Sequence, residues 1–214
     1  GWPIDSNGTV QQTNVLSAFS VLNTANLTSA PVATTSIELG ANLPASATSG
    51  DANSLTAQVF DRQGGQHSLA LTFTKTSTNN QWDITATISG GNFVDPDQDD
   101  DLTLGDPSTG TAAGDDVAFI TGTTSTTIGT MTFGEDGTLS SLTGAAATAG
   151  AVSVEDTTDN QLDLTFDFDQ IDTTTADRVT VAVDFGSLNQ ADGFTQFQGN
   201  FTPNFIEQNG KQFG

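Results

Sequence analysis

The sequence predicts an all-β domain, an antiparallel sandwich or partly closed barrel built from hairpins, with few or no helices. Three observations carry that expectation. Leu55–Ile88 alternates apolar and polar residues in three successive runs, the signature of strands buried on one side. Gly64-Gly65 and Asn79-Asn80 separate the runs and supply the positive-φ residues that tight hairpins need. No long amphipathic helix pattern and no internal repeat is visible in the 214 residues.

Taken in order, residues 1–30 are weakly patterned, and Val15, Phe19 and Leu22 fit either a short helical face or an extended run. Pro31 holds Ala30 extended and marks a boundary. Thr34–Leu39 reads as a short strand and Gly40–Asn53 as a small-residue loop. In the meander, Leu55, Ala57 and Val59 share one face, with Thr56, Gln58 and Phe60 opposite. His67, Leu69, Leu71 and Phe73 form the next apolar face, and Trp82, Ile84, Ala86 and Ile88 the third.

Gly90-Gly91 then opens a long acidic loop, and residues 90–130 mark a candidate insertion that includes a short strand candidate at Val117–Ile120. Thr127–Phe133 and Thr138–Leu142 flank the turn Gly134–Gly137 as a second hairpin. Ala145–Ala151 reads as a loop or one helical turn. Alternation is strongest at Leu162, Leu164, Phe166 and Phe168, and again at Val179, Val181, Val183 and Phe185. Pro203 suits an extended exit strand, which brings the total to about eight or nine strands.

Composition narrows the function classes. With 26 acidic residues against 4 basic ones, the net charge is −22. Such a surface repels phosphate backbones and anionic lipid, so neither nucleic acid nor membrane is an expected partner. There are no cysteines, hence no disulfide, thiolate metal site or cysteine nucleophile in this stretch. No apolar run reaches the ~18 residues of a membrane-crossing helix, and no secretory signal pattern is visible. The chain opens Gly1-Trp2-Pro3 rather than with Met, which points to an internal fragment of a longer protein.

Four features invite chemistry. Asp95, Asp97, Asp99 and Asp101, followed by Asp106, place carboxylates at alternate positions like the start of a calcium loop. An EF-hand requires Gly at its sixth position and Glu at its twelfth, where this run has Asp100 and Asp106, and the ordinary reading is a solvated acidic loop. His67 is the sole histidine and so the only base a Ser/His/Asp triad could use; a strand-edge histidine is the bland alternative. Trp2 and Trp82 are the right residues to stack on a sugar, although Trp on an apolar strand face is more often core. The sequons at Asn7, Asn26 and Asn200 matter only in a eukaryotic secreted protein. Phosphate loops, zinc spacings and nucleophile elbows are all missing. The expectation is a chain that is not an enzyme, with no catalytic residue and no cofactor.

Several motifs together resemble the bacterial flagellar hook protein, in the part between its terminal helical regions. The family's V-Y-D-S-x-G-x-x-H stretch reads here Val59-Phe60-Asp61-Arg62-Gln63-Gly64-Gly65-Gln66-His67, with Trp82 in the next strand. Its T-L-x-F-x-x-x-G-x-L hairpin is similar to Thr130–Leu139, and its approach to the outer domain to Ala33–Leu43. Gly193-Phe194-Thr195-Gln196-Phe197 resembles the G-x-T-Q-[FY] segment, and Gln208-Asn209-Gly210 the Q-N/D-G turn back toward the inner domain. Phe60 stands where the family has Tyr and Arg62 where it has Ser.

The resemblance implies a structural role. It implies residues 1–30 as the incoming segment from an inner hook domain, 31–190 as an outer β-domain, and 191–214 as the return segment. Implied partners are other copies of the chain in a helical tube and other flagellar axial proteins at the hook's ends. The implied location is extracellular, on the bacterial flagellum (hook and basal body), after export without a cleaved signal peptide. The competing reading is an extracellular calcium- or carbohydrate-binding β-module, resting on the Asp95–Asp101 run and Trp82.

Overall fold

The alternation along Leu55–Ile88 is realised as the middle of one sheet in a two-sheet sandwich. The structure, a computed structural model, describes residues 6–10, 29–94, 124–144, 155–156, 161–168 and 178–213. The chain divides into two units, residues 1–29 with Gly214, and residues 30–213. Of the first, residues 6–10 form an exposed turn with positive φ at Gly8. The description below concerns the second.

Among the described residues eleven strands build it: β1 (Ser36–Asn42), β2 (Ala52–Phe60), β3 (Gln66–Lys75), β4 (Gln81–Ile88), β5 (Asn92–Val94), β6 (Ser125–Phe133), β7 (Leu139–Gly144), β8 (Glu155–Asp156), β9 (Gln161–Asp167), β10 (Val179–Asp184) and β11 (Thr202–Gln208). One sheet has the order β2-β3-β4-β6-β7, every pair antiparallel. The other runs β11-β1-β10-β9-β5, with β8 also paired to β9. Both orders are open paths rather than closed rings, so the fold is a sandwich and not a barrel.

Period two decides which side chains meet. Leu69, Leu71 and Phe73 of β3 and Trp82, Ile84, Ala86 and Ile88 of β4 are buried, opposed by Leu162, Leu164 and Phe166 of β9 and Val179, Val181 and Val183 of β10. These residues form one apolar core. Phe73 reaches across the sandwich to Phe194 at 4.7 Å and Phe185 at 6.5 Å, so three rings join the sheets.

The structure departs from the sequence reading in particular places. β1 runs on to Asn42 and β2 begins at Ala52, which shortens the Gly40–Asn53 loop at both ends. Phe60, placed with the polar face, is only 7% exposed, and Thr34 of the incoming segment pairs with its backbone. β1 and β10 run parallel, since the whole five-stranded sheet is built between them. Asn92–Val94 is a strand, too short to show a period. Val15, Phe19, Leu22, Val117–Ile120 and Ala145–Ala151 lie outside the described residues.

Candidate functional site

The motif residues collect at the two ends of the sandwich. At one end the incoming and outgoing segments run side by side. Val32 and Lys211 exchange two backbone hydrogen bonds, both 2.9 Å. Thr34 is fully buried; its N–H donates to Phe60 O at 2.9 Å, and its Oγ1 accepts from Phe60 N–H at 2.9 Å and donates to Gln208 Oε1 at 3.3 Å. Asn209 Oδ1 accepts from the N–H groups of Thr35 (2.9 Å) and Ser36 (3.1 Å), while Nδ2 donates to Thr35 Oγ1 at 2.7 Å. Gln208 Oε1 also accepts Gly210 N–H at 2.6 Å. A Cβ at residue 210 would collide with Thr34 Oγ1, so glycine is what lets the two segments approach.

The β2–β3 turn, residues 61–65, sits against this pair of segments. Gly64 has φ +86°, and a Cβ there would meet Pro31 Cβ at 2.8 Å. Asp61 Oδ1 accepts Gln63 N–H (2.8 Å) and Gly65 N–H (2.7 Å), and Oδ2 faces His67 Nε2 at 3.0 Å. Burial pushes the Asp61 carboxyl up, but hydrogen bonds from His67, Gly65 and Gln63 and the nearby imidazole outweigh it, leaving it below the ordinary value. His67 Nδ1 lies 3.1 Å from Ser89 O, and its ring stacks on Phe168 at 3.9 Å. Both ring nitrogens therefore face oxygen acceptors, a geometry that the imidazolium satisfies and either neutral tautomer half satisfies. No hydroxyl nucleophile is among the partners of His67; it brackets two turns and a strand end.

At the other end, residues 195–197 stitch the sheets together. Thr195 N–H donates to Ala41 O (3.0 Å), and Leu43 N–H to Thr195 O (2.8 Å). Asn42 Oδ1 accepts from Thr195 Oγ1 (3.2 Å) and Phe197 N–H (2.8 Å). Gln196 N–H donates to Gly137 O at 2.7 Å in the second hairpin turn. Its side chain accepts from Trp82 Nε1 at 3.4 Å and donates to Asn80 Oδ1 at 3.3 Å in the first. Asn80 has φ +54°, as the turn pattern predicts. Trp82 is 0% exposed with its N–H engaged, so it offers no face to a sugar; the carbohydrate reading of Trp82 is corrected by burial. Trp2 lies outside the described residues.

The pattern of motifs that makes both ends also matches a known sequence family. The model of the flagellar basal body protein FlaE D2 domain covers residues 26–211. The chain belongs to the FlaE D2 domain family. A solved structure, the 32 kDa fragment of the flagellar hook protein FlgE from Caulobacter crescentus, is similar at 19% identity and a TM-score of 0.44, over 73% of this chain and 46% of that one. The chain thus spans less than half of that fragment. No curated protein matches it significantly. In this D2 domain the residues that carried the hook resemblance are the fasteners just described: Asp61, Gly64 and His67 at one end with Asn209 and Gly210, and Gln196 with Trp82 at the other.

Elsewhere the D2 domain presents charge. Glu38 lies directly opposite Asp184 on one side and Glu207 on the other, three carboxylates in register across three strands. Glu38, Asp184 and Asp192 border a shallow groove of about 240 Å³ beside Phe205. Hydrogen bonding to Ser187 holds Asp192 below the usual carboxylate range. Among the described residues no three His, Asp or Glu side chains are placed to hold a metal ion. The calcium candidates Asp95, Asp97, Asp99 and Asp101 lie outside the described residues. Sequence reasoning missed Lys75, which continues the apolar face of β3, is 8% exposed, and donates from Nζ to Thr76 O (3.0 Å) and Thr78 O (2.6 Å). Its position in the alternation, next after Phe73, was the available signal.

Proposed function

We propose that this domain is an outward-facing part of a structural subunit of the bacterial flagellar hook, the curved joint that passes motor torque to the filament. The D2 family match across residues 26–211 is the observation that supports the reading. The geometry is consistent with it, since the motif residues are spent on internal hydrogen bonds rather than turned toward a substrate. In this reading the domain is not an enzyme. Residues 1–30 arrive from an inner domain, 31–190 form the outer body, and 191–214 return. The partners are other copies in the tube, with other axial proteins at its ends, and the location is the extracellular flagellum after export without a cleaved signal. The lack of cysteine suits passage through a channel as an unfolded chain. Contacts between neighbouring outer domains are polar and sliding, because a dry interface above roughly 1,000 Å² would resist bending.

The hydrogen-bonded pair Val32 and Lys211 supplies the test. In the full-length gene, residues 33–210 are replaced by a short Gly-Ser linker, which joins two points already side by side. Loss, straightening or abnormal bending of the hook, with impaired swimming, is the expected result. Normal hooks and normal motility would sink the proposal.

A further inference from the structure

We infer that Thr34, Gln208, Asn209 and Gly210, together with Phe60, form a mechanical clasp that keeps the unit closed when load enters through its two ends. The inference concerns residues 30–213 by themselves and stands whether or not the domain works in a hook.

The argument begins with direction. β1 and β11 are antiparallel neighbours, and the segments outside them lie side by side at one end. A load that pulls Ala30 away from Gln212 acts across the hydrogen bonds between the segments rather than along them. A ladder loaded that way opens one rung at a time, and a single rung resists little. The Val32–Lys211 pair is the first rung.

Immediately behind it the arrangement changes. Asn209 holds Thr35 N–H, Ser36 N–H and Thr35 Oγ1 at once. Gln208 Oε1 holds Thr34 Oγ1 and, through Gly210 N–H, braces its own strand. Thr34 is bonded in both directions to Phe60 at the end of β2, so the incoming segment is also fixed to the edge of the other sheet. Opening cannot pass residue 34 without breaking several of these bonds together. Beyond the clasp, β1 is flanked on its far side by β10 from Ser36 onward, and further opening must disturb that pair too. The close approach of Gly210 to Thr34 leaves no room for slack between the segments.

The experiment uses single-molecule force spectroscopy on the 214-residue chain, which has no cysteine of its own. Cysteine handles at Ala30 and Gln212 load the clasped end; handles at the exposed Ser49 and Ala191 load other points of the sandwich. With the first pair, Asn209→Ala, which removes three exposed hydrogen bonds, should raise the unfolding rate at constant force by at least about tenfold. With the second pair the rate should stay within about twofold, because the clasp is still closed when that route reaches its transition state. Thr34→Val, which keeps the shape but loses Oγ1, gives the same contrast if the Asn209 variant fails to fold. The double variant should be no worse than about the single one at the clasped end, since both open the same unit. An equal acceleration from both handle pairs would reduce the clasp to general stabilisation, and no acceleration at the clasped end would remove it altogether.

Discussion

At Asp61 three hydrogen bonds and a facing imidazole win against burial, so the carboxyl titrates lower in the folded chain than its ordinary 3.8. A carboxyl depressed on folding contributes stability above its unfolded value, and that contribution is lost as pH falls through the folded one. Asp61→Asn should therefore be less stable than the natural chain by about 1 kcal/mol at neutral pH. The gap should close in strong acid, where both side chains are uncharged. Urea melts across that range check it; a gap that persists in acid would assign the loss to shape instead of charge. Trp82→Phe tests the other end. It leaves Gln196 Oε1 buried without its donor and opens a small void, a cost of about 2–3 kcal/mol in the denaturant midpoint. At this scale the sequence was partly readable. Asn80 and Gly64 were recognisable as positive-φ residues from their neighbours, but the bond between Thr34 and Gln208 spans 174 positions and no local pattern announces it.

Strands that bury one face and are longer than about five residues announce themselves by alternation. β2, β3, β4, β6, β9 and β10 are of that kind, and the hairpin turns between them followed from their glycines and asparagines. β5 and β8 have three and two residues, too few to show a period. β1 was read too short because Gly40 looks like a turn residue, whereas it lies mid-strand beneath the ring of Phe205. Phe60 lies on the face opposite Val59 as the alternation has it, yet it is buried there, at the strand end where Thr34 from outside the meander bonds its backbone. The six-stranded sheet also carries a built-in repulsion, Glu38 between Asp184 and Glu207. Like charges directly opposite one another destabilise a sheet, so Glu38→Lys should raise stability by about 0.5–1 kcal/mol at low salt. The gain should shrink as salt screens it, and a variant that melts lower would contradict the ladder's cost.

For the whole chain, 26 acidic and 4 basic residues make copies repel one another. The 214-residue chain is expected to sediment as a monomer at low salt, and a stable high-order oligomer there would show that its charge does not keep copies apart. Family membership was legible because motif order survives even where the pairing of motifs in space is hidden. The calcium candidates at Asp95–Asp101 were equally visible in sequence, yet no described geometry bears on them. The position of β1 between β10 and β11 has a consequence for folding order. The first strand of the unit can take its place only after the last two exist, so the six-stranded sheet closes through pairings far apart in sequence. Such nonlocal pairing puts folding in the range of about milliseconds to seconds, against microseconds for locally paired folds. A polypeptide delivered end first can thus pair β2, β3, β4, β6 and β7 early, but its second sheet stays open until nearly all of residues 30–213 have emerged and the tail arrives to meet the head.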